Sequence, residues 1–306
     1  MIGASGVEPT DHGPEWFDAN RAFWDERVPI HVGSDFYRVR QFLDGEEQLR
    51  DFELAELGDV AGKTLFHPQC HFGQDTLCWA RHGATVTGLD FSQPAVDAAT
   101  SLAAQAGIDA DFVCASVYDA VDAVGGRTFD VVYTGLGAIC WLPDLDRWAS
   151  VMAEVCRPGG TFYLAEFHPI AYALDEKATE PELRVRHDYF AKVWHEDIES
   201  GTYTDTSAVT VHDETWERMW TLGETVTALA SAGFRIELLH EHEGSLFQLL
   251  PFLTERDGRY RLPDGMPTFP MMYSIRATRD RVSPGPRRLR SDGHPRRGRG
   301  EGQGVV

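Results

Sequence analysis

The chain has 306 residues, 42% of them hydrophobic, and a formal net charge of −20, enough material for one large α/β domain or two small ones. No apolar run approaches the roughly 20 residues needed to cross a bilayer, and the acidic, polar start (MIGASGVEPTDHGPEWFD) resembles neither a signal nor a transit peptide, so a cytoplasmic protein is expected. From Arg276 onward there are nine arginines against three acids, leaving 19 basic and 45 acidic residues before it, a body that repels nucleic acid and anionic membranes.

In chain order, residues 1–15 are expected to be disordered. Glu15–Arg27 carries Trp16, Phe17, Phe23 and Trp24 and predicts an amphipathic helix. Val28–Phe42 reads as aromatic and partly irregular, and Leu49–Leu57 as a second helix ending near Gly58. An alternating βα core then runs from about Gly62 to Pro169. Its first strand (Thr64-Leu65-Phe66) enters a loop, Pro68-Gln69-Cys70-His71-Phe72-Gly73. A helix is expected over Asp75–His82, and the β-rich run Ala84–Leu89 ends in Asp90. Ser92-Gln93-Pro94 supplies a capping hydroxyl and a first-turn proline, and Gly107 stops the helix that follows.

Ala110–Cys114, Phe129–Tyr133 and Thr161–Phe167 are the next strands. Leu145–Cys156 is the helix between the last two, closed by Arg157-Pro158-Gly159-Gly160. Residues 171–222 break the alternation with charge and aromatics, a composition that suits a substrate lid. Leu222–Ala232 returns to helix, and Phe234–His240 and Met271–Thr278 are strands. Pro284–Val306 is rich in Arg, Gly and Pro and is expected to be disordered. Five scattered cysteines without a CxxC pair suggest reduced, mostly buried thiols.

The order strand, tight loop, helix, strand, acid is half of a nucleotide-binding βαβ unit, and Asp90 stands where a carboxylate accepts hydrogen bonds from ribose hydroxyls. A dinucleotide loop is glycine-rich so that backbone can approach a pyrophosphate. Here Gln69 and His71 occupy positions where glycines are usual, which argues against NAD or FAD and for a cofactor without phosphates.

The stretch Thr64–Ser92 resembles motif I and the following acid of the class I S-adenosylmethionine-dependent methyltransferases, small-molecule branch, with a loop reading QCHFGQDTL. That resemblance implies a Rossmann-like, doubly wound, seven-stranded sheet with an antiparallel last strand. It places an N-terminal helical cap at 1–60, the cofactor-binding domain at 61–280 with its lid at 171–222, and a tail at 281–306.

It also implies S-adenosylmethionine as cofactor, surrounded by Gln69, Cys70, His71 and Gly73, with Asp90 on the ribose and Phe91 on an adenine face or in the core. Ser116 and the Val117 amide would meet adenine, with Asp119 able to stand in. The Thr134-Gly135 backbone would meet the amino-acid end, and Tyr37 would cover the sulfonium. His71 either contacts the cofactor carboxylate or packs in the loop. Trp141 contacts substrate or fills core.

Glu166 and His168, two apart on a strand, point to one side. His168 is the first candidate for a general base, with Glu166 orienting it or contacting the cofactor; the alternative is a hydrogen-bonded structural histidine, and His31 is the weaker catalytic candidate. A metal held by His67, Cys70 and His71 lacks a fourth ligand at a familiar distance, so no metal is expected. The implied activity is in-line methyl transfer to an O, N or C atom of a small-molecule acceptor. The competing readings are non-methylating chemistry on the same cofactor (cyclisation or decarboxylation), a nicotinamide oxidoreductase, and a non-catalytic module whose arginine-rich tail recruits a partner.

Overall fold

The computed structural model describes residues 13–190, 193–198 and 200–281. The expected disordered ends therefore lie outside the described residues, except for 13–15, which open the first helix. That helix, α1, spans Pro14–Gly33 and runs straight through Pro29. The segment expected to be irregular after Arg27 is thus partly helical. Two short helices follow, α2 (Val39–Leu43) and α3 (Asp51–Leu57).

The core begins with β1 (Thr64–Pro68), α4 (Gln74–Arg81), β2 (Thr85–Asp90) and α5 (Gln93–Ala106). The Ser92 hydroxyl accepts from the Ala95 N–H at 3.3 Å and Gly107 closes α5 at φ +64°, so both ends are set by local chemistry. Next come β3 (Asp111–Cys114), a 3₁₀ turn at Val117–Asp119, α6 (Ala120–Ala123) and β4 (Phe129–Thr134). A second 3₁₀ turn (Ile139–Trp141) leads to α7 (Leu145–Val155), β5 (Cys156–Phe167) and α8 (Pro169–Tyr172). The Arg-Pro-Gly-Gly segment lies within β5, not before it, and the register between β4 and β5 shifts there.

The insertion holds a two-stranded ribbon of β6 (Trp194–Asp197) and β7 (Glu214–Glu217). Helix α9 (Leu222–Ser231) and strand β8 (Phe234–His242) follow, then a hairpin of β9 (Thr254–Arg256) and β10 (Arg259–Arg261), and finally β11 (Met272–Arg279). Neither small ribbon was evident in the sequence.

The seven-stranded sheet has the order β3-β2-β1-β4-β5-β11-β8, and β11 runs antiparallel to both of its neighbours. Strand alternation divides the core between the two faces. Phe66, Leu89, Val132, Phe162 and Leu164 pack with Trp148 and Leu229 on one side. Leu65, Val86, Val131, Tyr133 and Tyr163 pack with Leu77, Trp79 and Leu102 on the other. On that second face α3 is fixed by buried acids: the Tyr133 hydroxyl donates to Glu53 at 2.6 Å and the Tyr163 hydroxyl to Glu56 at 2.8 Å. Cys70, Cys78 and Cys156 are buried, whereas Cys114 is exposed and Cys140 half-buried.

Candidate functional site

The strand order reverses between β1 and β4, and a cavity opens beyond the carboxyl ends of these parallel strands, where ligands of open α/β sheets bind. Its floor comes from Gln69 and His71 after β1, Leu89-Asp90-Phe91 at the end of β2, Ser116–Tyr118 after β3 and Leu136–Ala138 after β4. Trp16, Phe17, Asn20 and Trp24 of α1 form the roof with Tyr37, Trp141 and Tyr203. Among the described residues, no lysine or arginine belongs to this lining.

The β1–α4 loop keeps the backbone of a glycine-rich turn without its glycines. Gln69 and His71 have φ values of +58° and +51°, a left-handed conformation that costs an ordinary residue about 1–2 kcal/mol. Gly73 has φ +73°, and a Cβ there would lie 2.6 Å from the Phe112 ring. Gly73 thus serves packing against β3 and does not line the cavity. The Gln69 side chain donates from Nε2 to the Ala138 carbonyl at 2.8 Å, while its Oε1 is buried without a donor. Cys70 turns inward, its N–H bonded to the Leu89 carbonyl at 3.0 Å.

Asp90 is 7% exposed. Its Oδ2 accepts from the His71 N–H at 2.8 Å and its Oδ1 from the Ser92 N–H at 3.0 Å. Burial raises its pKa to about 6, against the pull of these amides. A carboxylate has about four acceptor positions, so two remain for a ligand. Phe91 lies beside it in the lining, with the Arg21 guanidinium 5.9 Å from its ring centre. Ser116 uses its hydroxyl to cap the 3₁₀ turn, accepting from the Tyr118 N–H at 3.3 Å. The Val117 amide opens that turn, where an N–H has no helical acceptor. Asp119 is exposed and pairs with Arg147 at 3.8 Å, away from the lining.

Two expected catalytic groups stand elsewhere. Glu166 is buried and accepts from the N–H groups of Gly137, Ala138, Ile139 and Phe167 at 2.7–3.1 Å. Burial lifts its pKa to about 7 even though these four amides pull it down. It organises the loop whose Gly137 and Ala138 form cavity wall. His168 is not brought to the cavity. Its Nδ1 accepts from the Ile170 N–H at 3.2 Å, capping α8, and its Nε2 lies 3.1 Å from Glu241 Oε1. Nδ1 is taken up by that cap, and His168 is not among the residues that line the cavity.

Thr134 and Gly135 lie behind the wall. Gly135 faces the ring of His67, whose Nδ1 is 2.8 Å from Thr76 Oγ1. Among the described residues, no group of three His, Cys, Asp or Glu side chains is placed to hold a metal ion.

His31 is fully buried behind the cavity wall. Its Nδ1 lies 3.0 Å from His71 Nε2 and its Nε2 lies 2.7 Å from Thr202 Oγ1 in the insertion. Burial, with the Arg27 charge, lowers the His31 pKa to about 4. Burial, with His31, lowers that of His71 to about 3. Both rings are neutral at physiological pH. Tyr37 and Tyr203 join by their hydroxyls at 2.5 Å.

The insertion is clamped onto α1. The Asn20 amide pairs both ways with the Trp216 backbone at 2.8 and 2.9 Å. Arg27, 1% exposed, donates to the His212 carbonyl at 2.8 Å and to Asp213 Oδ1 at 2.7 Å. Trp16, Phe17, Asn20, Trp24, Tyr118 and Tyr203 were not singled out from the sequence as site residues. The aromatic content of α1 was visible there, but only its packing over the sheet edge gives it a role.

Comparison with known proteins places this geometry in context. A family model described as a methyltransferase domain matches residues 69–160. The chain is 29% identical over 204 residues to a ubiquinone biosynthesis O-methyltransferase of Methylobacterium sp. (strain 4-46), covering 62% of this chain and 81% of that protein. It is 31% identical to a malonyl-[acyl-carrier protein] O-methyltransferase of Pseudescherichia vulneris, over 48% of this chain and 60% of the relative. The fold is shared with an S-adenosylmethionine-dependent methyltransferase structure from Listeria monocytogenes (TM-score 0.54, 20% identity, 75% of this chain and 97% of that one). It is shared as well with one from Mesorhizobium loti (TM-score 0.53, 23% identity, 78% and 100%).

Proposed function

We propose that this chain is a class I S-adenosylmethionine-dependent methyltransferase that carries the methyl group to an oxygen, nitrogen or carbon atom of a small-molecule acceptor held under α1 and the insertion. The observation that carries this reading is the cavity: one buried carboxylate, Asp90, at its polar end, aromatic walls, and no cationic side chain in the lining. Such a lining suits a cationic, phosphate-free ligand, because aromatic faces attract a sulfonium and no lysine or arginine stands among the described lining residues to neutralise a pyrophosphate. The two named relatives are O-methyltransferases, which favours oxygen as the acceptor atom.

The side chains present fit the cofactor. Asp90 would take the ribose hydroxyls on its two remaining acceptor positions. The Gln69 Oε1, buried without a donor, would accept from the α-ammonium. Phe91 would cover an adenine face, the Val117 N–H would meet an adenine ring nitrogen, and Tyr37 would close over the sulfonium. When bound, S-adenosylmethionine supplies an electrophilic methyl carbon and its own leaving group. The chain's task is then alignment in a dry pocket, worth roughly 7–11 kcal/mol of barrier. Trp24, Trp141 and Tyr203 line the cavity with His71, and the Trp24 ring lies 5.2 Å from the His71 ring.

The test is calorimetry and product analysis with purified protein. S-adenosylmethionine is expected to bind the wild type, and Asp90→Ala to bind it about 10- to 100-fold more weakly, the loss of hydrogen bonds to a charged acceptor. Unchanged affinity in that variant would refute the site. S-adenosylhomocysteine and a methylated product must both form in a screen of hydroxylated acceptors. A product formed without consumption of the methyl donor would point to different chemistry.

A further inference from the structure

His71 stands in a strained left-handed conformation where a glycine would be free of cost, and residues held in this way cluster at ligand clamps. Its ring is the inner end of a chain of three groups. Thr202 Oγ1 is 2.7 Å from His31 Nε2, and His31 Nδ1 is 3.0 Å from His71 Nε2. With both imidazoles neutral, each carries one N–H, and one proton assignment determines the rest.

The surroundings of Thr202 choose the direction. Its oxygen already accepts from the Thr204 N–H at 3.3 Å. Were it also to accept from His31, its own proton could reach, among the described residues, only Thr204 Oγ1 at 3.5 Å, beyond a good O–H···O distance. The 2.7 Å contact therefore has the Thr202 hydroxyl donating to His31 Nε2. His31 then carries its proton on Nδ1 and donates it to His71 Nε2. His71 is left with an Nδ1–H, which has no acceptor among the described residues.

We propose that Thr202 and His31 act as positioning residues that lock His71 as an Nδ1–H donor for a carboxylate in the cavity, namely the carboxylate of the cofactor's amino-acid end. The inference rests on the cofactor reading above. Gln69 and His71 then form a matched pair for a zwitterion: a bare amide oxygen for the ammonium and a neutral N–H for the carboxylate. The relay also ties the cofactor loop to the insertion, because Thr202 comes from the lid.

The experiment compares S-adenosylhomocysteine with its decarboxylated counterpart by calorimetry on the full chain. Wild type is expected to prefer the carboxylated ligand by about 10- to 100-fold, the range for a hydrogen bond to a charged group. His71→Gly removes the ring and relieves the backbone strain, so folding is retained. It should reduce the preference to within about threefold while leaving affinity for the decarboxylated ligand unchanged. His71→Asn, which tolerates the left-handed region and restores an N–H, should recover part of the preference. An equal loss for both ligands overturns the proposal alone, and no binding of either ligand to wild type overturns the cofactor reading with it. Nitrogen-15 spectra of histidine-labelled protein give a ligand-free reading. Both His31 and His71 should carry the proton on Nδ1 in wild type, and Thr202→Val should abolish that preference at His31. Protonation on Nε2 of either ring in wild type overturns the relay.

Discussion

At the scale of single residues, burial gives neighbouring carboxylates different work. Asp90 and Glu166 are both buried and both accept from backbone amides, yet Asp90 lines the cavity while Glu166 stands behind it. Glu166 holds the N–H groups of residues 137–139 in one cluster. Glu166→Gln keeps the shape but turns one acceptor oxygen into a donor facing those amides. Cofactor affinity should fall roughly tenfold with a smaller loss of turnover at saturation. His168→Ala removes a helix cap, which should lower stability by about 1 kcal/mol and leave saturated turnover within about twofold. A turnover loss of about 10²-fold or more in His168→Ala, the range of a lost general base, would restore that role. The sequence placed Glu166 and His168 together on one strand, whereas β5 ends at Phe167 and His168 caps α8. It could not say that loop 137–139 and Glu241 would occupy them first.

At the scale of elements, α1 shows why its boundaries were hard to read. Its buried residues Trp16, Asn20, Phe23, Arg27, Val28 and His31 fall near helical spacing, but three of the six are polar, so the apolar stripe fades before the helix ends. Val28-Pro29 then looks like a stop, although the helix continues to Gly33. Those polar residues bind the insertion. Arg27 sits 3.5 Å above the Phe23 ring and reaches Asp213 and His212. Arg27→Met should therefore cost about 1–3 kcal/mol, the range for removing the hydrogen bonds of a charged group and leaving its partners unmatched. Limited proteolysis should show new cleavage between residues 200 and 213. Unchanged stability and an unchanged digestion pattern would mean that the clamp does not hold the lid.

At the scale of the whole molecule, burial acts on titration in two opposing directions. His31 and His67 are pushed to about 4 and His71 to about 3, chiefly by desolvation. The native state then binds fewer protons than the unfolded chain from about pH 6.5 down to 4, and these groups lose stability as pH falls. Asp90 is raised to about 6, and Glu166 and Glu217 to about 7, also chiefly by desolvation. They bind more protons in the native state between about pH 4 and 7, and so gain stability as pH falls. Three groups of each sign over overlapping windows should leave the urea midpoint nearly level from about pH 6.5 to 4.5. Below that the histidine losses continue. Carboxylates such as Asp213, held low first by the Thr210 hydroxyl, add to them, so the midpoint should drop steeply. A midpoint that instead climbs or falls steadily across pH 6.5–4.5 would show that one set dominates.

The strand runs of the seven-stranded sheet, the caps at Ser92 and Gly107, and Asp90 at the end of β2 were determined by the sequence alone, because strand periodicity, capping and βα order are local or near-local properties of the chain. The phosphate-free cofactor was legible for the same reason: Gln69 and His71 stand where glycines are usual. Only the tertiary structure decided that those two residues would still adopt a glycine-like backbone, that His31 would meet His71, and that α1 with Tyr203 would roof the cavity. The last two join segments from 40 to more than 180 residues apart. Such contacts are set by how the whole core packs, and no local pattern carries them.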